Sequence, residues 1–192
     1  MKVIDLSDWN DHIDWSRIIN AGIGGVITKI SEGRTLAELY GKHIAGAEAR
    51  GLQWGVYCYT HAQTTERAEE EANRVIQALN ALGYGVPPLG IWFDVEAPET
   101  ISQSVGDVTA ICRAFISKCN AAGYSAGIYA SLSTFTDRMD LNALADYVPA
   151  WPAQYGSTCD FPNCFPGRIM AGWQFTDSYE IDERKYDMSE WY

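Results

Sequence analysis

The sequence predicts an α/β fold, a single β/α barrel, on three observations. Short apolar runs alternate with longer helix-like segments, the signature of β/α units around a mostly parallel sheet. One run, Leu89 to Val95, is almost wholly apolar and leads directly into acids, as expected of a strand buried on both faces whose C-terminal end reaches a site. The length of 192 residues suits one domain with a sizeable core and leaves little room for two, so residues 1–192 are expected to form one domain without a second module.

The elements follow in order. Val3 to Leu6 is the first strand and Gly25 to Ile30 the second. An alanine-rich helical segment around Ala37 to Arg50 stops at Gly51, and Gln53 to Tyr59 is the third strand. Thr64 can cap a long helix running through Leu82, with Glu66 in its first turn complementing the helix dipole and Gly83 ending it. Leu89 to Val95 is the fourth strand, Val105 to Ala122 has the apolar spacing of a helix, and Ser125 to Ala130 is the fifth strand. After Asp146 the helix signals fade, and Tyr147 to Trp151, Ile169 to Phe175 and Lys185 to Met188 read as short strands that close the barrel.

Composition excludes several classes of function. Twenty-five acidic against fourteen basic side chains give a net charge of −11, which repels phosphate backbones, so nucleic acid is not an expected partner. No apolar run approaches a membrane span, so no membrane partner is expected either. Met1-Lys2-Val3-Ile4-Asp5 enters a strand without an apolar signal segment, which leads to the expectation of synthesis in the cytoplasm. The five cysteines, Cys58, Cys112, Cys119, Cys159 and Cys164, lack zinc-like spacing, and a monomer must leave at least one unpaired. His12, His43 and His61 are scattered, with His43 assigned to a helix surface, and neither a metal nor another cofactor is expected. No G-x-S-x-G elbow or phosphate-cradling glycine loop is present.

The segment richest in chemistry is Ile91-Trp92-Phe93-Asp94-Val95-Glu96. Residues two apart in a strand share a face and lie about 6–7 Å apart along the chain, so Asp94 and Glu96 point the same way, at the barrel mouth. Paired acids among aromatics raise one another's proton affinity, and one of them can stay protonated as a general acid. An isolated D-x-E that merely ends a strand in water has the same spelling; Asp5, ending the first strand, and Asp187, near the C-terminus, add weight by falling at strand ends of the same face.

These acids lie in a wider pattern. Asp5-Leu6-Ser7, Ile13-Asp14-Trp15, Thr28-Lys29-Ile30-Ser31-Glu32-Gly33, Gly55-Val56-Tyr57, Phe93-Asp94-Val95-Glu96, Gly127-Ile128-Tyr129, Trp151-Pro152-Ala153-Gln154-Tyr155 and Trp173-Gln174-Phe175 occur in that order, and Asp187-Met188-Ser189 closes the chain. The series resembles the glycoside hydrolase family 25 lysozymes over essentially the whole sequence. The resemblance implies a modified TIM-type barrel of five β/α units closed by three further strands. It also implies hydrolysis of the β-1,4 bond between N-acetylmuramic acid and N-acetylglucosamine in bacterial peptidoglycan, as in phage endolysins and bacterial lysozymes. By motif position Glu96 matches the general acid, Asp94 its neighbour, and Asp5 and Asp187 the flanking carboxylates of the cleft. Cys58 departs from the pattern, since relatives often carry histidine there, and Gly156 to Pro166 matches no motif of the family.

Sugar rings stack on aromatic side chains, and Tyr57, Tyr129, Tyr155 and Trp173 are the expected substrate contacts because each follows or ends a strand within a motif. Lys29 is expected to pair with Glu32 or a nearby carboxylate and to tune the charge of the cleft. A monomer acting on the cell wall after release fits these features. Two other readings of the residues stay open: a catalytically silent barrel that binds peptidoglycan through the aromatics, and a metal-dependent hydrolase that uses the carboxylates as ligands.

Overall fold

The structure, a computed structural model, describes residues 1–192. Strand β1 (Lys2–Leu6) is followed by α1 (Trp15–Asn20), β2 (Ile23–Glu32), the two-residue β3 (Thr35–Leu36), α2 (Tyr40–Glu48), β4 (Gln53–Tyr59) and α3 (Thr65–Leu82). Then come β5 (Ile91–Asp94), the single turn α4 (Pro98–Ile101), α5 (Val105–Ala121), β6 (Ala126–Ser131) and α6 (Leu132–Arg138). The chain ends with β7 (Ala150–Ala153), the turn α7 (Phe161–Cys164), β8 (Gly172–Ile181) and β9 (Arg184–Trp191).

Eight of these strands close into a barrel, in the circular order β1, β2, β4, β5, β6, β7, β8, β9, and β3 only extends the end of β2 as an antiparallel hairpin. All neighbours around the ring are parallel except the two pairings of β9, which runs against both β8 and β1. Five β/α units and three closing strands are therefore present, as expected. No helix is long and apolar enough to cross a membrane.

Alternation along the strands divides the interior in two. Val3, Ile27, Leu89, Trp92, Tyr129, Trp151 and Trp191 fill the barrel, while the larger core lies between the barrel wall and the helices. On β5 the alternate residues serve both: Trp92 turns inward, and Phe93 turns outward to stack on Phe115 of α5, with ring centroids 4.2 Å apart. Inside, Trp92, Trp151 and Trp191 meet edge to face at centroid distances of 5.3, 5.5 and 5.6 Å, forming an apolar floor. Glycine makes room for these rings: a Cβ on Gly127 would lie 2.5 Å from Trp92, and one on Gly172 2.2 Å from Trp191.

Helix caps follow the local sequence. The Thr64 hydroxyl accepts the Arg67 N–H at 3.3 Å, and Gly83 ends α3 in the left-handed region at φ 72°. Helix α5 starts at Ser104, which accepts from Asp107 N–H.

Two expectations are corrected. The closing strands are shifted, and the last two are longer: β8 runs on to Ile181 and pairs with β9 in a hairpin whose turn is at Asp182 and Glu183, both at positive φ. Its upper part mixes exposed Asp177, Ser178 and Glu180 with the buried Ile181 and Tyr186, so β8 has no regular alternation there to mark a half-buried strand, and its turn has no glycine to announce it. His43 is buried, not on a helix surface: Nδ1 is hydrogen-bonded with the Thr28 hydroxyl at 2.8 Å and Nε2 with Asn10 O at 3.0 Å, tying α2 to β2 and the loop after β1.

Candidate active site

The parallel strands all end at one mouth of the barrel, and four carboxylates meet there above the tryptophan floor. Asp5 comes from β1, Asp94 from the last position of β5, and Glu96 from just beyond it. Asp187 arrives on β9, whose reversed direction brings its early residues to this mouth. All four line one cavity of about 190 Å³, together with Tyr57, Tyr59, Tyr129, Trp151 and Gln174. The strand alternation anticipated from the D-x-E spacing is realised, because Asp94 and Glu96 both face this cavity.

The electrostatics favour retained protons. Asp94 is only 4% exposed, and its carboxyl is pushed well above the usual range, first by burial and then by Glu96, with Lys29 opposing. Burial, then Asp187, raises Glu96. Asp187 itself is pushed up to about 6 by burial and Asp177. Asp5 is raised by burial and Asp187, against a hydrogen bond from Gln174. Four acids in one low-dielectric space disfavour one another's ionisation, and of the four only Asp94 has a cation, Lys29, among the groups that oppose its shift.

A hydrogen-bonded chain orders one wall. The Tyr129 hydroxyl donates to Gln174 Oε1 at 3.0 Å, and Gln174 Nε2 donates to Asp5 Oδ2 at 2.6 Å. The other oxygen of Asp5 and Oδ1 of Asp94 are buried without a protein partner, so each can accept from a bound ligand. Burial and the surrounding acids raise the phenols of Tyr57 and Tyr129, which stay neutral donors.

The remaining expected residues are distributed unevenly. Tyr57 and Tyr129 are in the lining. Tyr155 is 55% exposed just beyond β7 and stands outside the cavity, although Asp187, Asp177 and Glu96 are near enough to add to burial in raising its hydroxyl to about 12. Trp173 faces away, its indole N–H donating to Gln154 O at 2.7 Å, and its neighbour Gln174 takes the inward position. Lys29 bonds Glu32 at 2.5 Å and lies 5.3 Å from the centre of the Tyr59 ring. Gln174, Tyr59 and Trp151 were not anticipated; a lone amide between two aromatics, as in Trp173-Gln174-Phe175, was the available signal for the first.

Cys58 points outward from β4 between two inward tyrosines, against Gly33 O and Glu71, so the departure from histidine does not reach the cavity lining. The unmatched segment Gly156 to Pro166 contains α7, whose Phe161 packs edge-on to Phe135 at 5.2 Å, and Cys159 and Cys164 are both free thiols. No group of three or more His, Cys, Asp or Glu side chains is placed to hold a metal ion.

Comparison with known proteins places this geometry among relatives. Residues 4–184 match the family described as Glycosyl hydrolases family 25. An autolytic lysozyme of Clostridium acetobutylicum is 25% identical over 183 residues, covering 95% of this chain and 52% of that protein. Among solved structures, the modular autolysin LytC of Streptococcus pneumoniae superposes with a TM-score of 0.88 at 25% identity, over 100% of this chain and 46% of that one. The CTP1L endolysin gives 0.82 at 26% identity, over 100% of this chain and 66% of that one. The chain thus spans about half the length of the first two relatives.

Proposed function

The chain belongs to glycosyl hydrolase family 25, and on that premise we propose that it is a muramidase cutting the β-1,4 bond between N-acetylmuramic acid and N-acetylglucosamine of bacterial peptidoglycan. The observation that carries the reading is the pairing of Asp94 and Glu96, both with raised proton affinity, in one cavity at the barrel mouth. LytC has been solved in complex with a synthetic peptidoglycan ligand, which supports the substrate class.

In this reading Glu96 protonates the leaving glycosidic oxygen while the 2-acetamido carbonyl oxygen of the muramic sugar attacks C1. Asp94 accepts the acetamido N–H on its unpaired oxygen, and the same bond favours its ionised form. The proton shared by the pair then resides on Glu96, where the departing oxygen needs it. Water afterwards opens the cyclic intermediate, with Glu96 as base. Direct displacement, with Asp94 activating water, is the other route open to two carboxylates. Residues 1–192 act in this reading as one monomeric catalytic unit on the cell wall, with Asp5, Asp187, Tyr57 and Tyr129 shaping the cleft and Tyr155 at its rim. Nucleic acid and membrane have no part in it, and no metal or other cofactor takes part.

Glu96→Gln tests the reading, because the amide keeps the shape but has no proton to donate. Digested peptidoglycan analysed by mass spectrometry should show a loss of about 10²–10⁴-fold in turnover with wall binding and fold retained. Retention of more than about a tenth of wild-type turnover, outside that range, removes Glu96 as the acid. Full wild-type activity in the presence of a chelator removes the metal-dependent alternative.

A further inference from the structure

A second cavity, of about 510 Å³, lies beside the catalytic one on the same face of the barrel. Its polar wall is built from the end of β2, the segments after β1, β2 and β4, and the first turn of α3: Asp8, Lys29, Glu32, Arg34, His61 and Arg67. The two cavities adjoin through Lys29, which lines the second and sits 5.3 Å from the ring centre of Tyr59, a residue of the first.

The side chains that line this cavity are richer in cations than the chain as a whole, although Glu70, Glu71 and Glu99 pair with them from outside the lining. In a protein with 25 acids and 14 bases, three fixed cations and His61 face two carboxylates. Both carboxylates are already occupied. Asp8 accepts the backbone N–H groups of Glu38 and Leu39 at 2.9 Å each, and Glu32 is bonded to Lys29 and His61. The guanidinium groups have donors to spare. Arg34 uses Nη1 on Glu70 at 3.1 Å, which leaves most of its five N–H groups free, and Arg67 Nη1 lies 3.5 Å from the same carboxylate. Arg67 is held in place from behind, its Nε donating at 3.1 Å to the fully buried Glu71, and its Nη2 lies so close to Gly33 that a Cβ there would come within 3.2 Å. The fork is thus positioned before any ligand arrives.

We propose that this cavity is a subsite for a free carboxylate of the peptide that peptidoglycan carries on its muramic sugar. The inference rests on the muramidase reading and names a part of the substrate that the catalytic cavity does not take. A bare sugar would call for aromatic platforms, and apart from the His61 imidazole this wall has no ring. An apolar ligand would find only Leu36 and Ala37. An acidic, flexible branch leaving the sugar bound next door matches the surplus of preformed N–H donors.

Two glycan preparations of the same chain length test the assignment, one bearing intact stem peptides and one stripped of them by an amidase, both freed of phosphate polymers. The wild type should show the lower KM on the peptide-bearing glycan. Arg34 is 62% exposed at its side chain, so Arg34→Ala should fold, which circular dichroism and Tm can verify. Its KM on the peptide-bearing glycan should rise about fivefold with kcat unchanged, the scale of one exposed ion pair. Arg34→Glu should raise it further, and Arg34→Lys should recover part of the preference. Equal KM of the wild type on both glycans, or an Arg34→Ala effect of the same size on both, overturns the assignment alone. A wild type that cuts neither glycan overturns the muramidase reading and the subsite with it.

Discussion

Asp94 closes β5 with one buried oxygen unpaired, so its replacement separates two roles that a carboxylate can play at this position. Asp94→Asn should be severely impaired, and full activity would leave the amide-orienting role without support. On the substrate side, de-N-acetylation of the muramic sugar removes the attacking oxygen and leaves an ammonium beside C1, where positive charge develops in the transition state. Cutting at those sites should stop, and NMR should find the β configuration in the first-formed reducing sugar. An α product moves Asp94 to the role of base for water, with Glu96 still the acid. Asp187 carries a different consequence. Its native pKa of about 6 lies above the ordinary 3.8, so the folded state holds this proton more tightly than the unfolded one. Ionisation therefore destabilises the fold: the cost is absent below the unfolded value, grows as pH rises from 3.8 toward 6, and is complete above it. Asp187→Asn should raise Tm most near pH 8 and progressively less toward pH 4, and a Tm difference independent of pH contradicts that account.

At the scale of elements, the barrel depends on large and small residues facing one another across the strands. Gly172 on β8 lets the Trp191 ring of β9 lie where a side chain would be, with 2.2 Å between the ring and an added Cβ. Gly172→Ala should cost about 1–3 kcal/mol in denaturant unfolding, the range for overpacking a filled core, and a neutral result means that the tryptophan floor can shift. The same elements show how local signals became legible. Helix α3 was readable to the residue because cap, apolar spacing and terminal glycine all agree over 18 residues. Helices α1 and α6, of six and seven residues, are too short for periodicity to emerge, although Asp14 and Ser131 cap them. Trp173 and Gln174 show the limit within a strand: which of two neighbours turns inward depends on the register of β8 against β9, and aromatic character alone pointed to the wrong member for this cavity.

Across the whole molecule, the cysteines stand apart from the acid cluster. All five are free thiols; Cys58, Cys112 and Cys119 are buried, Cys159 is half-buried and Cys164 exposed. Burial pushes the thiols of Cys112 and Cys119 up to about 12, which leaves them unreactive. Thiol titration of the native protein should modify Cys164 first and Cys159 more slowly, with the other three reacting only on denaturation. A variant with all five replaced by serine or alanine should keep its turnover wherever it remains folded. Rapid modification of more than two thiols, or inactivity of a folded variant, contradicts this picture.

The sequence by itself determined the β/α alternation, the strand that carries Asp94 and Glu96, and the family. These features follow from apolar periodicity, helix caps and ordered motifs, all written within short stretches of chain. Tertiary structure decided the rest. Asp5 and Asp187 lie at opposite ends of the sequence, and only ring closure through the antiparallel β9 brings them to one cavity. The burial that raises their proton affinity comes from that closure, as does the inward turn of Gln174. The cationic wall of Lys29, Arg34, His61 and Arg67 is likewise assembled from the end of β2, the loops after β2 and β4 and the first turn of α3, and no stretch of the sequence carries it whole.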